Sequence, residues 1–210
     1  MVGLGHARFL VRPDPMVHYG GMEATVTRQA RARGKAQAVL VAVVRAAGEI
    51  LRTNMYKAFW LAHLSAIGRT GHELSDWPIV KMPNGPGIDR FDELLAGAGG
   101  VVVEEEVPYG DFTGKQLQIA DPAAAAALIK AHLSDAEVES IEDSARLVAK
   151  DTATQASEIS HKLSRSWRLE PDLGRELDIY MDLLLKDEDF DRVKARMRKD
   201  GELAAEILGS

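Results

Sequence analysis

The chain of 210 residues has a formal net charge of −6, with 46% hydrophobic and 28% charged residues, the balance of a globular protein able to bury its own core. It contains no cysteine, which excludes disulfide scaffolds, zinc fingers, thiolate catalysis and iron–sulfur ligation and suits a reducing compartment. The opening residues lack the unbroken apolar run of a signal peptide, and the longest apolar stretches, such as Ala123 to Ile129, are too short to span a bilayer. No membrane association and a cytoplasmic location are therefore expected.

The charge is uneven. Residues 1–52 carry eight Lys and Arg against three Asp and Glu, whereas residues 53–210 carry eighteen against twenty-nine. Arg28, Arg31, Arg33 and Lys35 read as a solvated lead-in to the first helix, since four charges are few for a phosphate-binding footprint.

In chain order, residues 1–35 mix Gly, Pro, His and Arg without sustained periodicity and are expected to form a loosely structured arm. From Ala36 to Leu51, Val39, Leu40, Val43, Val44, Ala47, Ile50 and Leu51 recur at helical spacing. Thr53 is placed to cap a second apolar helix that ends at Gly68 and Gly71. A short extended piece, Pro78 to Met82, precedes Pro83-Asn84-Gly85-Pro86-Gly87, read as a rigid turn. Ile88 to Leu95 is expected to be a short amphipathic helix. Val101 to Val107 and Lys115 to Ile119 then form two strands joined by a hairpin loop, residues 108–114.

The second half reads as helical. Asp121-Pro122 supplies a cap and an N1 proline for Ala123 to His132. Ser134 with Glu137 and Thr152 with Gln155 are capping boxes that open two further helices. After Pro171, two charged amphipathic helices are expected, about Asp172 to Leu185 and Asp189 to Leu208. The fold class is α+β: a mostly α-helical domain with a small antiparallel β-hairpin or sheet.

Catalytic motifs fail on spacing. Gly110 to Gln116 imitates a phosphate loop but is one residue short between its glycines and ends in Gln where a magnesium-binding hydroxyl is needed. Gly3-Leu4-Gly5 lacks the third glycine of a dinucleotide fingerprint. His6, His18, His63, His72, His132 and His161 form no i, i+4 pair. No metal, no cofactor and no enzymatic activity are expected.

One ordered series of segments carries a resemblance. It runs through Asn54-Met55-Tyr56-Lys57-Ala58-Phe59-Trp60-Leu61-Ala62-His63, Gly68-Arg69-Thr70-Gly71, Trp77-Pro78-Ile79-Val80-Lys81-Met82 and Asn84-Gly85-Pro86. It continues through Leu133-Ser134-Asp135-Ala136-Glu137 and residues 152–161, and closes at Trp167. The series resembles the Panacea domain, the SocA-like antitoxin domain of bacterial and phage toxin–antitoxin operons. The chain reads Asn84 where the family usually carries an aromatic residue before Gly-Pro, and Gly87 where valine is common.

The resemblance divides the chain into an arm (1–35), the antitoxin domain (36–170) and a C-terminal helical extension (171–210). It implies a non-enzymatic module that neutralises a toxin encoded in the same operon, by direct blocking or as an adaptor to an ATP-dependent protease. Arg69, Trp77 and Lys81 are the expected partner-binding residues, because Trp and Arg are enriched among interface hot spots. Lys57, His63, Gly85, Pro86, His161 and Trp167 are expected to be mainly structural. The C-terminal amphipathic helices also suit a groove on the partner. The alternative is a winged-helix-like regulator in which the 101–119 hairpin and the basic arm bind operator DNA, against which Glu104, Glu105 and Glu106 weigh.

Overall fold

The computed structural model describes residues 20–110 and 112–184, with positions 186, 189, 191, 192, 195, 196 and 199 beyond them. Most of the expected helix over Asp189 to Leu208 and the first nineteen residues of the expected arm lie outside the described residues.

Helix α1 (Gly20–Ala47) begins well before the expected boundary. Residues 20–35 are therefore helical, a correction to their placement in the arm. They hold three Ala and three Arg with Met22, Glu23, Gln29 and Lys35, helix formers that need no apolar stripe to be helical, despite three glycines. Further along, Ala38 to Val44 are buried on every side, which makes this half of α1 a core helix rather than a surface one. The helix ends at Gly48, whose φ of +79° favours glycine. The next residues, expected to be helical, instead form strand β1 (Glu49–Leu51).

Helix α2 (Arg52–Thr70) starts directly from that strand with Leu51 at its N-cap. Thr53 thus lies inside the helix and caps nothing. At the other end Gly71, with φ of +78°, donates its N–H to the Ile67 carbonyl and closes the helix. The turn expected over residues 83–87 is confined to Pro83-Asn84. Gly85–Ile88 is strand β3, paired antiparallel with β2 (Ile79–Met82), so that Lys81 faces Pro86 in the register. Proline is tolerated here because its ring takes extended φ and only its missing N–H is lost from the ladder.

Helix α3 (Phe91–Gly97) follows, three residues later than expected. Strands β4 (Val102–Tyr109) and β5 (Phe112–Ile119) run on into the expected loop and leave only a tight turn at Gly110. With β1 they form an antiparallel sheet of order β1-β5-β4.

Helix α4 (Pro122–His132) is capped by Asp121, which accepts from the backbone of Ala123 and Ala124. Both capping boxes form, at the starts of α5 (Asp135–Val148) and α6 (Ala153–Leu163). A short helix α7 (Arg165–Leu169) carries Trp167.

The helix expected over residues 172–185 is largely absent. Residues 174–177 extend along β2 instead: Gly174 N–H donates to the Lys81 carbonyl, Lys81 N–H to Arg175, and Leu177 N–H to Ile79, each at 2.8 Å. Backbone pairing with an otherwise open strand edge outweighs the helical charge pattern. Only Tyr180–Leu184 is helical, as α8.

The architecture is thus α+β, with α2 at its centre, packed against α1, α5, α6, α8, β1, β3 and β5. Thr152→Ala, which removes one capping box, is expected to cost about 1 kcal/mol, or roughly 2–4 °C in Tm. Thermal unfolding followed by circular dichroism checks this.

Candidate functional site

Lys57, Gly85, Pro86, His161 and Trp167, five of the residues that carry the family resemblance, converge although they are far apart in sequence. Lys57, buried on α2, donates from Nζ to the Pro86 carbonyl at 2.8 Å. Gly85 lies against the same amine: a Cβ there would sit 2.8 Å from Lys57 Nζ and closer still to Ser160 Oγ. Its φ of +104° also disfavours any side chain. Glycine at 85 is required by both the close approach and the backbone.

His161 closes the other side of the turn. It makes a backbone hydrogen bond with Asn84, and its ring stacks on Trp167 at 4.2 Å between centroids, nearly parallel. Trp167 Nε1 donates to the Met82 carbonyl at 2.8 Å. Lys81 donates to the Glu170 carbonyl and places its Nζ 5.0 Å from the centre of the Trp167 ring. Helices α2, α6 and α7 therefore clamp one hairpin, with Lys57, Gly85, Pro86, His161 and Trp167 as the parts.

Burial sets the protonation of this cluster. Desolvation lowers the Lys57 pKa to about 7. His161 is held below the ordinary histidine range, first by desolvation and then by the charge of Lys57. The Lys57 amine is buried, donates to the Pro86 carbonyl and lies against Gly85.

His63 belongs to a different cluster two turns along α2. It is fully buried, its Nε2 lies 3.4 Å from Ser75 Oγ, and its Nδ1 lies 3.6 Å from Glu73 Oε2. Burial lowers its pKa, against the opposing pull of Glu73. His63 and His161 thus serve separate neighbourhoods and do not join around one carboxylate.

The three expected partner residues are dispersed. Arg69 spans from α2 to Glu139 and Asp143 on α5 at 3.0 and 2.8 Å, with 39% of its side chain exposed. Trp77 is only 8% exposed, donates from Nε1 to the Asp89 carbonyl at 2.7 Å and lies under Arg90. Lys81 is engaged by Glu170 and Trp167 as described. Each has intramolecular work, and only Arg69 is substantially open.

Sequence reasoning missed several parts of this framework. Asn54 donates from α2 to the carbonyls of Val148 and Asp151 at 2.8 and 2.7 Å. Asp182 is buried and accepts from Trp60 Nε1 at 3.0 Å, from Ser166 N–H at 2.6 Å and from both Ser164 and Ser166 hydroxyls. Burial raises its pKa, opposed by those donors. Asn54 stands in a mixed stretch after Arg52 and Thr53 and offered no distinct signal. Nothing distinguished Asp182 from the other acids around it.

Among the described residues, no cluster of His, Asp and Glu has the arrangement of a metal site, and no helix is long and apolar enough to cross a membrane.

A convergent clamp on one hairpin, built by motifs from four parts of the chain, defines a domain held in shape by buried polar contacts. Comparison with known families assigns that domain: the family described as antitoxin SocA-like, Panacea domain, matches residues 55–168. The match covers more than half of the chain, and the protein belongs to this antitoxin family. Comparisons with curated proteins and with solved structures give no match. The matched region runs from α2 through α7, so α8 and the 174–179 segment lie beyond it.

The buried amine makes a pH prediction. An unfolded lysine keeps its proton to about pH 10, whereas folded Lys57 loses it at about 7. Between these values the unfolded chain binds more protons, so this lysine's contribution to stability rises with pH. Relative to Lys57→Met, the wild type is expected to gain roughly 2 kcal/mol between about pH 7 and 9. Urea unfolding of both proteins across that range is the measurement, and parallel pH profiles would contradict the assignment.

Proposed function

We propose that the protein is a non-enzymatic antitoxin that binds and neutralises a protein toxin encoded in the same operon, in the cytoplasm. Membership of the SocA-like antitoxin family carries this reading. It is supported by the site's chemistry: Lys57, His161 and Trp167 spend their functional groups on the protein's own hairpin, in keeping with a scaffold that presents a surface.

Direct blocking of the toxin is the simpler route. Delivery to an ATP-dependent protease is the second, and the two differ in what becomes of the toxin. A blocked toxin persists in the complex, whereas a delivered toxin disappears at a rate that depends on the protease.

Operator DNA binding through the 102–119 hairpin is not favoured. Lys115 is the one Lys or Arg in that stretch, and Glu104 takes it at 3.2 Å. Glu105 and Glu106 beside it are exposed and would repel phosphate.

Arg69, Trp77 and Lys81 remain the proposed contact residues. Arg69 is the most informative to change because its ion pairs are exposed and contribute on the order of 0–1 kcal/mol to the fold. Expression of the neighbouring reading frame is expected to arrest growth, and this protein to restore it and to co-purify with the toxin. Arg69→Glu should fold normally and capture less toxin. A harmless neighbour, or toxicity that this protein leaves unchanged, would overturn the reading.

A further inference from the structure

A cleft of about 380 Å³ opens between the loop that follows α2 and the extended segment beside β2, lined by His72, Glu73, Asp76, Trp77, Glu176 and Tyr180 among others. One wall comes from the family-matched region and the other from residues beyond it.

Its lining carries three carboxylates and no Lys or Arg, with His72 beside them. Asp76 and Glu176 are exposed, and neither has a cationic partner among the described residues. Glu73 faces only His63, which is fully buried and whose Nδ1 points at the Glu73 carboxylate from 3.6 Å with no hydrogen-bond partner of its own. Burial lowers the pKa of that imidazole, against the opposing pull of Glu73, and so disfavours the charge that would cancel the carboxylate. Three carboxylates in a concave site focus a negative potential into it. A second, smaller cavity of about 150 Å³ shares Glu176 and Leu177 and adds Glu170 and Asp178 to a mainly apolar lining that includes Leu169 and Met181.

The shape selects the occupant. The main cleft is too small for a helix and large enough for a long side chain, and the exposed Tyr180 ring lines it, whereas Trp77 forms its floor and is already covered by Arg90. A planar guanidinium can bond to carboxylates with its fork of donors while lying on an aromatic face. An ammonium matches the charge but not the planar contact.

We propose that this cleft receives an arginine side chain from a basic surface of the protein toxin. The identity of the partner rests on the antitoxin reading, whereas the cation-binding chemistry of the cleft does not. The sequence is acidic over residues 53–210, with eighteen Lys and Arg against twenty-nine Asp and Glu, a balance that suits a basic partner.

The test has two arms, both on the full chain. In the first, a tetra-arginine amide is titrated into labelled protein and followed by NMR. Saturable shifts are expected at the Trp77 indole N–H and at residues 72–76 and 176–180, weakening as salt is raised. The double variant Asp76→Asn/Glu176→Gln should bind at least tenfold less tightly. Glu105→Gln/Glu106→Gln, which removes the same charge from the distant hairpin, should bind like wild type. Shifts scattered over the surface, or an equal loss in the hairpin variant, would overturn the proposal.

In the second arm, the toxin from the neighbouring reading frame is captured on wild type and on the same two variants. At least tenfold weaker capture by the cleft variant alone supports the proposal. Undiminished capture by that variant overturns the cleft as the toxin site and leaves the antitoxin reading intact. Localised binding of the arginine peptide beside a harmless neighbour supports the cleft chemistry and removes the antitoxin reading instead.

Discussion

The structure depends on how one buried helix is fixed in place. Helix α2 is surrounded by other elements along most of its length, and an apolar helix in an apolar core has little to set its rotation or register. Four polar side chains supply that definition. Asn54 reaches the end of α5 and the turn beyond it, Lys57 the Pro86 carbonyl, Trp60 the Asp182 carboxylate, and His63 the Ser75 hydroxyl. They recur every third residue, so each is turned by about 60° from the last, and the four sweep roughly half of the helix circumference. Each therefore meets a different element. Leaving one of these groups buried and unpaired would cost on the order of 1–3 kcal/mol, which penalises alternative packings of α2.

The hairpin at residues 79–88 is the most tightly specified product of that arrangement. It is held from α2 by Lys57, from α6 by His161, from α7 by Trp167, and along its edge by residues 174–177. The last contact connects the family domain to the segment beyond it. The same segment then forms the far wall of the acidic cleft. The pinned core and the exposed cleft are thus physically continuous: the segment that pairs with the edge of β2 also carries Glu176.

Much of this was legible in the sequence wherever the determinant was local. The Asp121 cap with its N1 proline, the two capping boxes and Gly71 at the end of α2 each act within one turn and appear as read, whereas Gly68, also expected to end α2, lies inside the helix. The elements misread were those decided by distant partners. Glu49–Leu51 is a strand because β5 pairs with it. Gly85–Ile88 is a strand because β2 does. Residues 174–177 lose their helical pattern to the open edge of β2. The candidate site divides in the same way. The motif residues Lys57, Gly85, Pro86, His161 and Trp167 could be named from their order in the chain, but their convergence on one hairpin is tertiary. Asp182 carried no sequence signal because its role exists only once α8 docks on Trp60.

The measurement that tests the account most directly is hydrogen exchange of the full chain with and without the toxin from the adjacent reading frame. The account predicts new protection concentrated in residues 72–80 and 174–180, with the 102–119 hairpin unchanged. Protection that falls on that hairpin, or none in the cleft segments of a demonstrably formed complex, would contradict it.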